Sequence, residues 1–213
     1  MASHLTSEPE KHDGVAVCWS CKGPVAAGAL FCSTCEAVQP PGRMDHFARL
    51  GLEVTFDLDI KELERRYFDM QRRLHPDRFA SGLPRERALS QQQAVSLNDA
   101  YDSLKDPLSR ADYMVHLKGT EVLPEGCNLV NDMDLLTETM ELREALADAK
   151  TTGDVDKIAG RAANDIEHCI RELSAYFAGN DLECACKLTT RLKYLRKLAE
   201  EARLCRVKIA AAR

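Results

Sequence analysis

The sequence predicts an all-α protein in which a helical hairpin is followed by a three-helix bundle and preceded by a small tetracysteine knuckle. Apolar residues recur every three or four positions over long stretches, a spacing that places them on one helix face. Gly or Pro interrupts these stretches and leaves short turns between them. Two CxxC pairs near the amino terminus, ahead of the first periodic stretch, predict the knuckle.

Composition places the chain among globular proteins and argues against two classes of function. A chain of 213 residues, 45% of them hydrophobic, is sufficient for one or two compact domains. The net charge of -5 argues against a nucleic-acid binder, because phosphate recognition normally requires an excess of Lys and Arg. No apolar run approaches the roughly 20 residues that span a bilayer, so we expect no membrane insertion.

The amino terminus and the cysteines bear on the cellular compartment. Residues 1–16 are polar and aperiodic, and we expect a flexible tail that is neither a secretory signal nor an Arg-rich transit peptide. The nine cysteines comprise a close-spaced quartet and five scattered residues, an odd remainder that suits a reducing compartment. The bacterial cytoplasm is the simplest location that meets both expectations.

The quartet predicts a metal-binding knuckle over residues 17–41. Its members are Cys18, Cys21, Cys32 and Cys35. Each CxxC turn can direct two thiolates at one point, and two such turns complete a tetrahedral S₄ site, most simply for one structural Zn²⁺. Iron in a rubredoxin-like site uses the same ligands, and a redox-active dithiol pair is the alternative without metal.

The predicted hairpin follows a stiff Pro-Pro-Gly linker and a short helix over 45–50 that Gly51 ends. A helix from Ile60 carries Leu63, Tyr67, Met70 and Leu74 on one face, and a second runs from about Pro84 to Lys105. The two apolar faces can close on each other in antiparallel fashion. Pro107 then starts a further helix that ends before Gly119.

Between the two hairpin helices lies His75-Pro76-Asp77, a corner that presents an imidazole and a carboxylate. Proline disfavours α geometry in the residue before it, so the first helix should end near Leu74 or His75. Basic residues surround the corner: Arg65, Arg66, Arg72, Arg73 and Arg78. An arginine face is often only solvated, but beside this corner it is a credible dock for an acidic surface.

After a linker over 119–131, the sequence predicts three helices within 132–213, at about 132–150, 154–178 and 181–210. Leu136 and Met140 form a second apolar stripe, offset from the one that faces the bundle, and Tyr194 lies off the stripe of the last helix. An apolar patch rimmed by charge usually marks a partner site. The alternative is that these residues pack within the protein.

The corner and its flanking helices resemble a J-domain, here residues 43–118. The resemblance rests on His75-Pro76-Asp77 after an amphipathic helix, on Phe79, and on the next helix with Leu97-Asn98-Asp99-Ala100-Tyr101 and Asp106-Pro107. The chain is closer still to the HscB/Jac-type J-proteins of iron–sulfur cluster assembly. Residues 43–51 resemble the start of those proteins, and Met140-Glu141-Leu142-Arg143-Glu144 resembles their second domain.

This resemblance implies a co-chaperone rather than an enzyme. The J-domain is expected to bind a DnaK/HscA-type ATPase chaperone through the corner and the basic helix, and the bundle to bind an IscU-type scaffold protein. The scaffold-binding positions implied by the family are Leu136, Met140, Glu141, Glu144, Lys193 and Tyr194. Thr137 departs from the family pattern, where relatives often have an apolar residue. Some relatives also carry a similar amino-terminal tetracysteine module.

Two other functions compete with this interpretation. A metal-dependent thiol oxidoreductase or metal carrier would work through the four cysteines, and the state of the bound metal discriminates it. A J-protein for general unfolded clients would carry a Gly/Phe-rich segment or CxxCxGxG repeats, neither of which is found in the sequence. A nucleic-acid-binding zinc ribbon is disfavoured because only Lys22 lies near the cysteines to meet phosphate.

Overall fold

The computed structural model describes residues 15–119 and 133–211, and the predictions for residues 1–14 and for the linker up to residue 132 lie outside this part of the chain. The elements in order are β1 (Val15–Val17), β2 (Pro24–Ala26), α1 (His46–Arg49), α2 (Ile60–Leu74), a 3₁₀ turn (Pro76–Phe79), α3 (Pro84–Lys105), α4 (Pro107–Gly119), α5 (Met133–Ala147), α6 (Thr152–Ala178) and α7 (Leu182–Ala211). The predicted all-α class with an amino-terminal knuckle is confirmed. Among these residues no helix is long and apolar enough to cross a membrane.

The small β-sheet is the one regular element that the sequence did not predict. Strands β1 and β2 pair in antiparallel register, with Val15 opposite Ala26 and Val17 opposite Pro24. The strand β1 therefore includes Val15 and Ala16, which the sequence assigned to the tail. Three-residue strands are too short for an alternating pattern to be recognised, and it is the folding of the first CxxC turn that brings the two together.

The helical hairpin is built on an aromatic stack and a row of buried leucines. The rings of Tyr67 on α2 and Tyr101 on α3 stack with centroids 4.0 Å apart, and Leu63, Leu74 and Leu97 are fully buried. The hydroxyl of Ser90 donates to the carbonyl oxygen of Leu74 at 2.6 Å. This bond satisfies a terminal carbonyl of α2 that the corner leaves without an intrahelical partner.

The described residues fall into two compact units. The first comprises residues up to 53 together with 60–101, and the second comprises 54–59 together with 102–213. The predicted domains 43–118 and 132–213 divide the chain elsewhere, so the helix α4 belongs with α5–α7 by compactness. Long-range ion pairs within the second unit explain this: Asp106 bonds Arg196 of α7 at 2.6 Å, and Asp112 of α4 bonds Lys193 at 2.5 Å.

The segment 54–59 is held in the second unit by Phe56. Its ring stacks on Phe177 of α6 with centroids 5.3 Å apart, and the guanidinium of Arg110 lies over the same ring at 4.9 Å from the centroid. Arg110 is itself buried, and it donates from Nη1 to the carbonyl oxygen of Leu104 at 2.6 Å. A buried cation thus lies against an aromatic face and donates to a carbonyl oxygen, and the charges of Asp106 and Asp57 also favour it.

The helices α5, α6 and α7 form the predicted three-helix bundle. Its core contains Leu142, Leu146, Val155, Ala162, Leu198 and Ala202. Helix α6 begins two residues earlier than the sequence predicted, because Thr151 is the N-cap and Asp154 is the third helical residue of a capping box. The ion pairs Glu138–Arg191 and Arg143–Glu201 join α5 to α7. The later residue of α5 pairs with the later residue of α7, so the two helices run in the same direction.

Asp106 is expected to stabilise the second unit in two ways. Its Oδ2 accepts the Ser109 N–H at 2.9 Å, which caps α4, and its Oδ1 binds Arg196. Replacing Asp106 by Ala should lower the free energy of unfolding by roughly 2 kcal/mol, about half from the cap and half from the partly exposed ion pair. The variant Asp106→Asn should lose only about half as much, because Asn can still cap the helix but cannot form the ion pair. Urea unfolding followed by circular dichroism measures both.

The Asp106 ion pair also predicts a pH dependence. Burial alone would raise the pKa of Asp106, but the Ser109 N–H and the Arg196 guanidinium outweigh it and hold the pKa below its ordinary value. The stabilisation is therefore present above the unfolded pKa of about 3.9 and is lost as the pH falls through the lower folded pKa. The difference between wild type and Asp106→Asn should shrink over that acidic range. A difference that is constant with pH would contradict the assignment.

Candidate functional site

The four cysteine sulfurs form a compact cluster. All four Sγ atoms lie within 4.8 Å of one another, and the Cys18–Cys35 and Cys21–Cys32 pairs are each 3.7 Å apart. A tetrahedral site with metal–sulfur bonds of about 2.3 Å requires sulfurs roughly 3.8 Å apart. The cluster therefore has the dimensions of a tetrahedral S₄ metal site, and the four residues predicted from sequence are the ones brought together.

Two similar backbone turns build this cluster. In the first, the Lys22 N–H donates to the Cys18 carbonyl, and in the second the Glu36 N–H donates to the Cys32 carbonyl. Lys22 and Glu36 each follow the second cysteine of a pair, and both have left-handed φ, 63° and 60°. This conformation reverses the chain within each turn, so that both sulfurs of a pair point to one side.

Backbone amides surround the sulfurs and favour their ionised form. N–H groups of Ser20, Gly23 and Thr34 each lie 3.4 Å from a cysteine Sγ. Burial opposes ionisation of Cys18, yet N–H groups of Cys21 and Ser20 and the neighbouring thiols lower its pKa to about 6. At Cys21 the Gly23 N–H lowers the pKa, but the neighbouring thiols and burial outweigh it and raise the pKa to about 11. Metal ligation requires thiolates, so this environment suits a divalent cation.

A buried polar chain leads from the cluster to the helical hairpin. The Gln39 side chain donates to the Cys18 Sγ at 3.4 Å, and its backbone carbonyl accepts from Gln93 of α3 at 2.9 Å. Arg49 of α1 donates to Gln93 Oε1 at 3.5 Å and to the Gly42 carbonyl at 3.1 Å. Sequence reasoning missed all three side chains. The available signal was Gln93 itself, a polar residue four positions from both Leu89 and Leu97 on the apolar face of α3.

The His75-Pro76-Asp77 corner is a 3₁₀ turn that begins where α2 ends. His75 is its N-cap, and its Nδ1 accepts the Asp77 N–H at 3.3 Å. This bond places the proton of a neutral His75 on Nε2, which is the nitrogen left to face a partner. The side chains of His75 and Asp77 are 53% and 90% exposed. The corner thus presents both groups to solvent on a turn held by its own backbone.

The five predicted arginines divide into two groups by their ion pairs. Arg65 and Arg66 bind Glu62, and Arg72 binds Asp69. The two guanidinium groups lower the pKa of Glu62 to about 2 through their hydrogen bonds. Arg73 and Arg78 form no salt bridge within the described part of the chain. Arg73 instead lies over the Phe31 ring at 5.0 Å, and Arg78 donates to the Arg72 carbonyl at 3.4 Å.

The positions predicted to bind a scaffold protein are spread over α5 and α7. On α5, Met140 is 62% exposed, and Glu141 and Glu144 are also exposed. The Leu136 side chain lies outside the described residues. On α7, Tyr194 is half-buried, three residues after Arg191 and seven before Glu201, both of which bind α5. Lys193 points instead to Asp112 of α4.

Met140 and Tyr194 lie on α5 and α7, the two helices that the Arg143–Glu201 ion pair joins along one seam of the bundle. Met140 lies three residues before Arg143, and Arg143 binds Glu201 of α7 at 3.1 Å. Residues at such spacings lie on one helix face, so Met140 shares a face of α5 with Arg143, and Tyr194 shares a face of α7 with Glu201, two turns away. Lys193 is directed elsewhere, because its Nζ binds Asp112 of α4.

Comparison with known proteins assigns a family to this arrangement. Residues 131–203 match the family model described as the HSCB C-terminal oligomerisation domain. The mouse protein "Iron-sulfur cluster co-chaperone protein HscB" is 33% identical over 191 residues, covering 88% of this chain and 81% of the relative. The chain belongs to the HscB family of co-chaperones.

Other HscB relatives agree with this assignment. The "Co-chaperone protein HscB homolog" of Aeromonas salmonicida is 36% identical over 162 residues, covering 74% of this chain and 94% of the relative. The crystal structure of the human co-chaperone protein HscB superimposes with a TM-score of 0.82 at 32% identity, covering 89% of this chain and 98% of the human one. The predicted resemblance to HscB/Jac-type proteins is confirmed.

Proposed function

We propose that the protein stimulates ATP hydrolysis by a DnaK/HscA-type chaperone and delivers an IscU-type scaffold protein to it for iron–sulfur cluster assembly and transfer. Membership of the HscB family supports the role in iron–sulfur biogenesis. The observation that carries the stimulation is the exposed His75-Pro76-Asp77 turn at the end of a basic helix. The protein itself would catalyse no reaction.

The chaperone would dock on the corner and on the arginines of α2. His75, Pro76 and Asp77 supply a rigid contact whose groups need no rearrangement on binding. Arg73 and Arg78 supply positive charge that no carboxylate of the described chain neutralises, whereas Arg65, Arg66 and Arg72 already have partners and would exchange them on binding. Such charges accelerate encounter with an acidic surface and fix its orientation.

The scaffold protein would dock on the bundle at the seam that contains Met140 and Tyr194. An exposed thioether and an aromatic ring are typical binding anchors, and Glu141, Glu144 and Lys193 would supply a charged rim. Leu136 completes the apolar stripe in sequence. Holding scaffold and chaperone on one chain raises the effective concentration of one near the other, which is the physical basis of delivery.

Zinc is the metal we propose for the four cysteines, in a structural role. The burial of Cys18 and Cys32 and the N–H groups around the sulfurs favour permanent ligation over a cycling dithiol. Free thiols of the other described cysteines agree with a reducing compartment. That compartment is the bacterial cytoplasm or, in a eukaryote, the mitochondrial matrix.

The proposal is tested by the steady-state ATPase rate of a purified DnaK-type chaperone, measured alone, with the protein, and with the protein and an IscU-type scaffold together. A rate that the protein leaves unchanged under both conditions would contradict the proposed function.

Removing the two seam side chains should weaken the scaffold complex. The double variant Met140→Ala with Tyr194→Ala deletes an exposed thioether and a half-buried ring. If both are anchors, the loss is at least about 2 kcal/mol, or roughly thirtyfold in Kd. Isothermal titration of an IscU-type scaffold measures it.

The matched control for this titration is Val207→Ala, which removes an exposed apolar side chain from another face of the same helix α7. It should bind the scaffold like wild type. Equal affinities of the double variant and the control would exclude the seam as the docking surface.

A further inference from the structure

A cleft separates the knuckle from the corner within the first compact unit. It has a volume of about 550 Å³. One wall consists of Phe31, Ser33 and Glu36 from the second cysteine turn, and the other of Arg73, Arg78 and Phe79 from the end of α2 and the 3₁₀ turn. Arg78 directly follows Asp77, so the cleft is continuous with the proposed chaperone contact.

The charges in this cleft do not cancel. Arg73 and Arg78 are the two arginines of the basic group that lack a salt bridge in the described chain, and both line it. Their guanidinium groups have the geometry to bind carboxylates in bidentate fashion. Glu36 on the opposite wall contributes a single negative charge, so the cleft retains a net positive charge. Phe31 and Phe79 add apolar surface.

The knuckle wall is fixed to the hairpin rather than loosely tethered. Gln93 of α3 bonds the Gln39 carbonyl, and Gln39 in turn donates to Cys18 Sγ. On another side, the Arg85 guanidinium of α3 lies over the Trp19 ring at 4.9 Å from its centroid. These contacts join the knuckle wall to α3, so a partner would meet a preformed cleft at little cost in ordering.

We propose that the metal knuckle is part of the chaperone-docking surface, and that this cleft takes an acidic segment of the ATPase chaperone. A carboxylate of that segment binds Arg73 and Arg78, while its neighbours contact Phe31 and Ser33. The inference rests on the proposed function and extends it to a module that contains none of the corner residues. It gives the cysteine cluster a role in recognition, because the cluster holds one wall of the cleft.

Two charge changes on the knuckle wall test the proposal, and they are expected to change the affinity in opposite directions. Ser33→Glu adds a negative charge opposite the arginines and should weaken binding of a purified DnaK-type chaperone in its ATP state by about threefold. Glu36→Gln removes one and should tighten binding by about the same factor, the size expected for single exposed charges. Both effects should decrease with added salt. Fluorescence anisotropy at several salt concentrations measures them.

Each change has a matched control outside the cleft. Ser20→Glu makes the same substitution in the first cysteine turn, and Glu53→Gln removes an exposed carboxylate from the same unit. Both should bind like wild type. Equal shifts of Kd for Ser33→Glu and Ser20→Glu, or weaker binding by Glu36→Gln, would overturn the proposal. Metal content measured on every variant ensures that an altered cysteine site is not mistaken for a docking effect.

His75→Gln distinguishes this inference from the function on which it rests. If His75→Gln retains full ATPase stimulation, the proposed function fails. If His75→Gln loses stimulation while Ser33→Glu and Glu36→Gln both bind like wild type, the function stands and only the participation of the knuckle is excluded.

Discussion

Replacing His75 by Gln is expected to reduce the stimulated ATPase rate of the chaperone to its unstimulated level while the helices remain intact. The Arg78 N–H donates to the His75 carbonyl at 3.0 Å, a backbone bond that the substitution leaves in place, so the 3₁₀ turn should persist. The exposed imidazole, with its Nε2 proton, is lost. If the ring is a hot spot, the docking free energy decreases by at least about 2 kcal/mol, roughly thirtyfold in affinity. Single-turnover ATP hydrolysis measures the rate.

The control for this variant is His168→Gln, which makes the same change at an exposed histidine of α6 that pairs with Glu172. It should stimulate like wild type. Far-UV circular dichroism should be identical for the two variants, because neither position contributes to a core. Normal stimulation by His75→Gln would remove the corner from the mechanism.

Removing the metal should unfold the knuckle and leave the helices. The knuckle buries little apolar surface, and its described core consists of Cys18, Val25 and Cys32. Metal ligation would therefore supply most of its folding free energy, on the order of 10 kcal/mol for an S₄ zinc site. Trp19 is the only tryptophan of the chain, and its Nε1 donates to the Val38 carbonyl at 2.7 Å. Its emission should shift to longer wavelength on chelation, while the helical signal changes little.

The same experiment predicts a pH dependence. Protons compete with the metal for the sulfurs, so affinity falls as the pH falls. Release should therefore increase progressively as the pH is lowered, because all four sulfurs must be thiolates to bind the metal. Cys18→Ser should lose the metal at neutral pH, whereas Cys184→Ser, which alters a thiol of α7, should retain it. Trp19 emission that is insensitive to chelators, together with a readily cycling disulfide, would favour the thiol oxidoreductase instead.

Local sequence signals predicted most helices and the metal ligands. Pro76, Pro84 and Pro107 fix helix boundaries through the backbone of adjacent residues, and the four cysteines lie within one short segment. Neither inference needed contacts between distant residues. Where a side chain rather than a proline sets the boundary, as Thr151 does for α6, the prediction was wrong by two residues.

What the sequence could not supply depends on residues far apart in the chain. Gln93 approaches Gln39 across 54 positions, and Arg196 approaches Asp106 across 90. The first contact attaches the knuckle to α3, and the second groups α4 with the bundle. From the sequence there was also no reason to distinguish the five arginines, whereas in the structure nearby carboxylates neutralise Arg65, Arg66 and Arg72. Side-chain rotamers and residue spacing decide which arginines remain available to a partner, and the composition of the sequence does not show this.

The placement of Phe56 has a consequence for the chain as it leaves the ribosome. The segment 54–59 and the helix α4 belong to a unit whose remaining helices are synthesised last. Phe56 must therefore wait for Phe177 before it can stack. The second unit can complete its packing only after α6 and α7 have been synthesised, so its earliest segment stays without its core for most of translation.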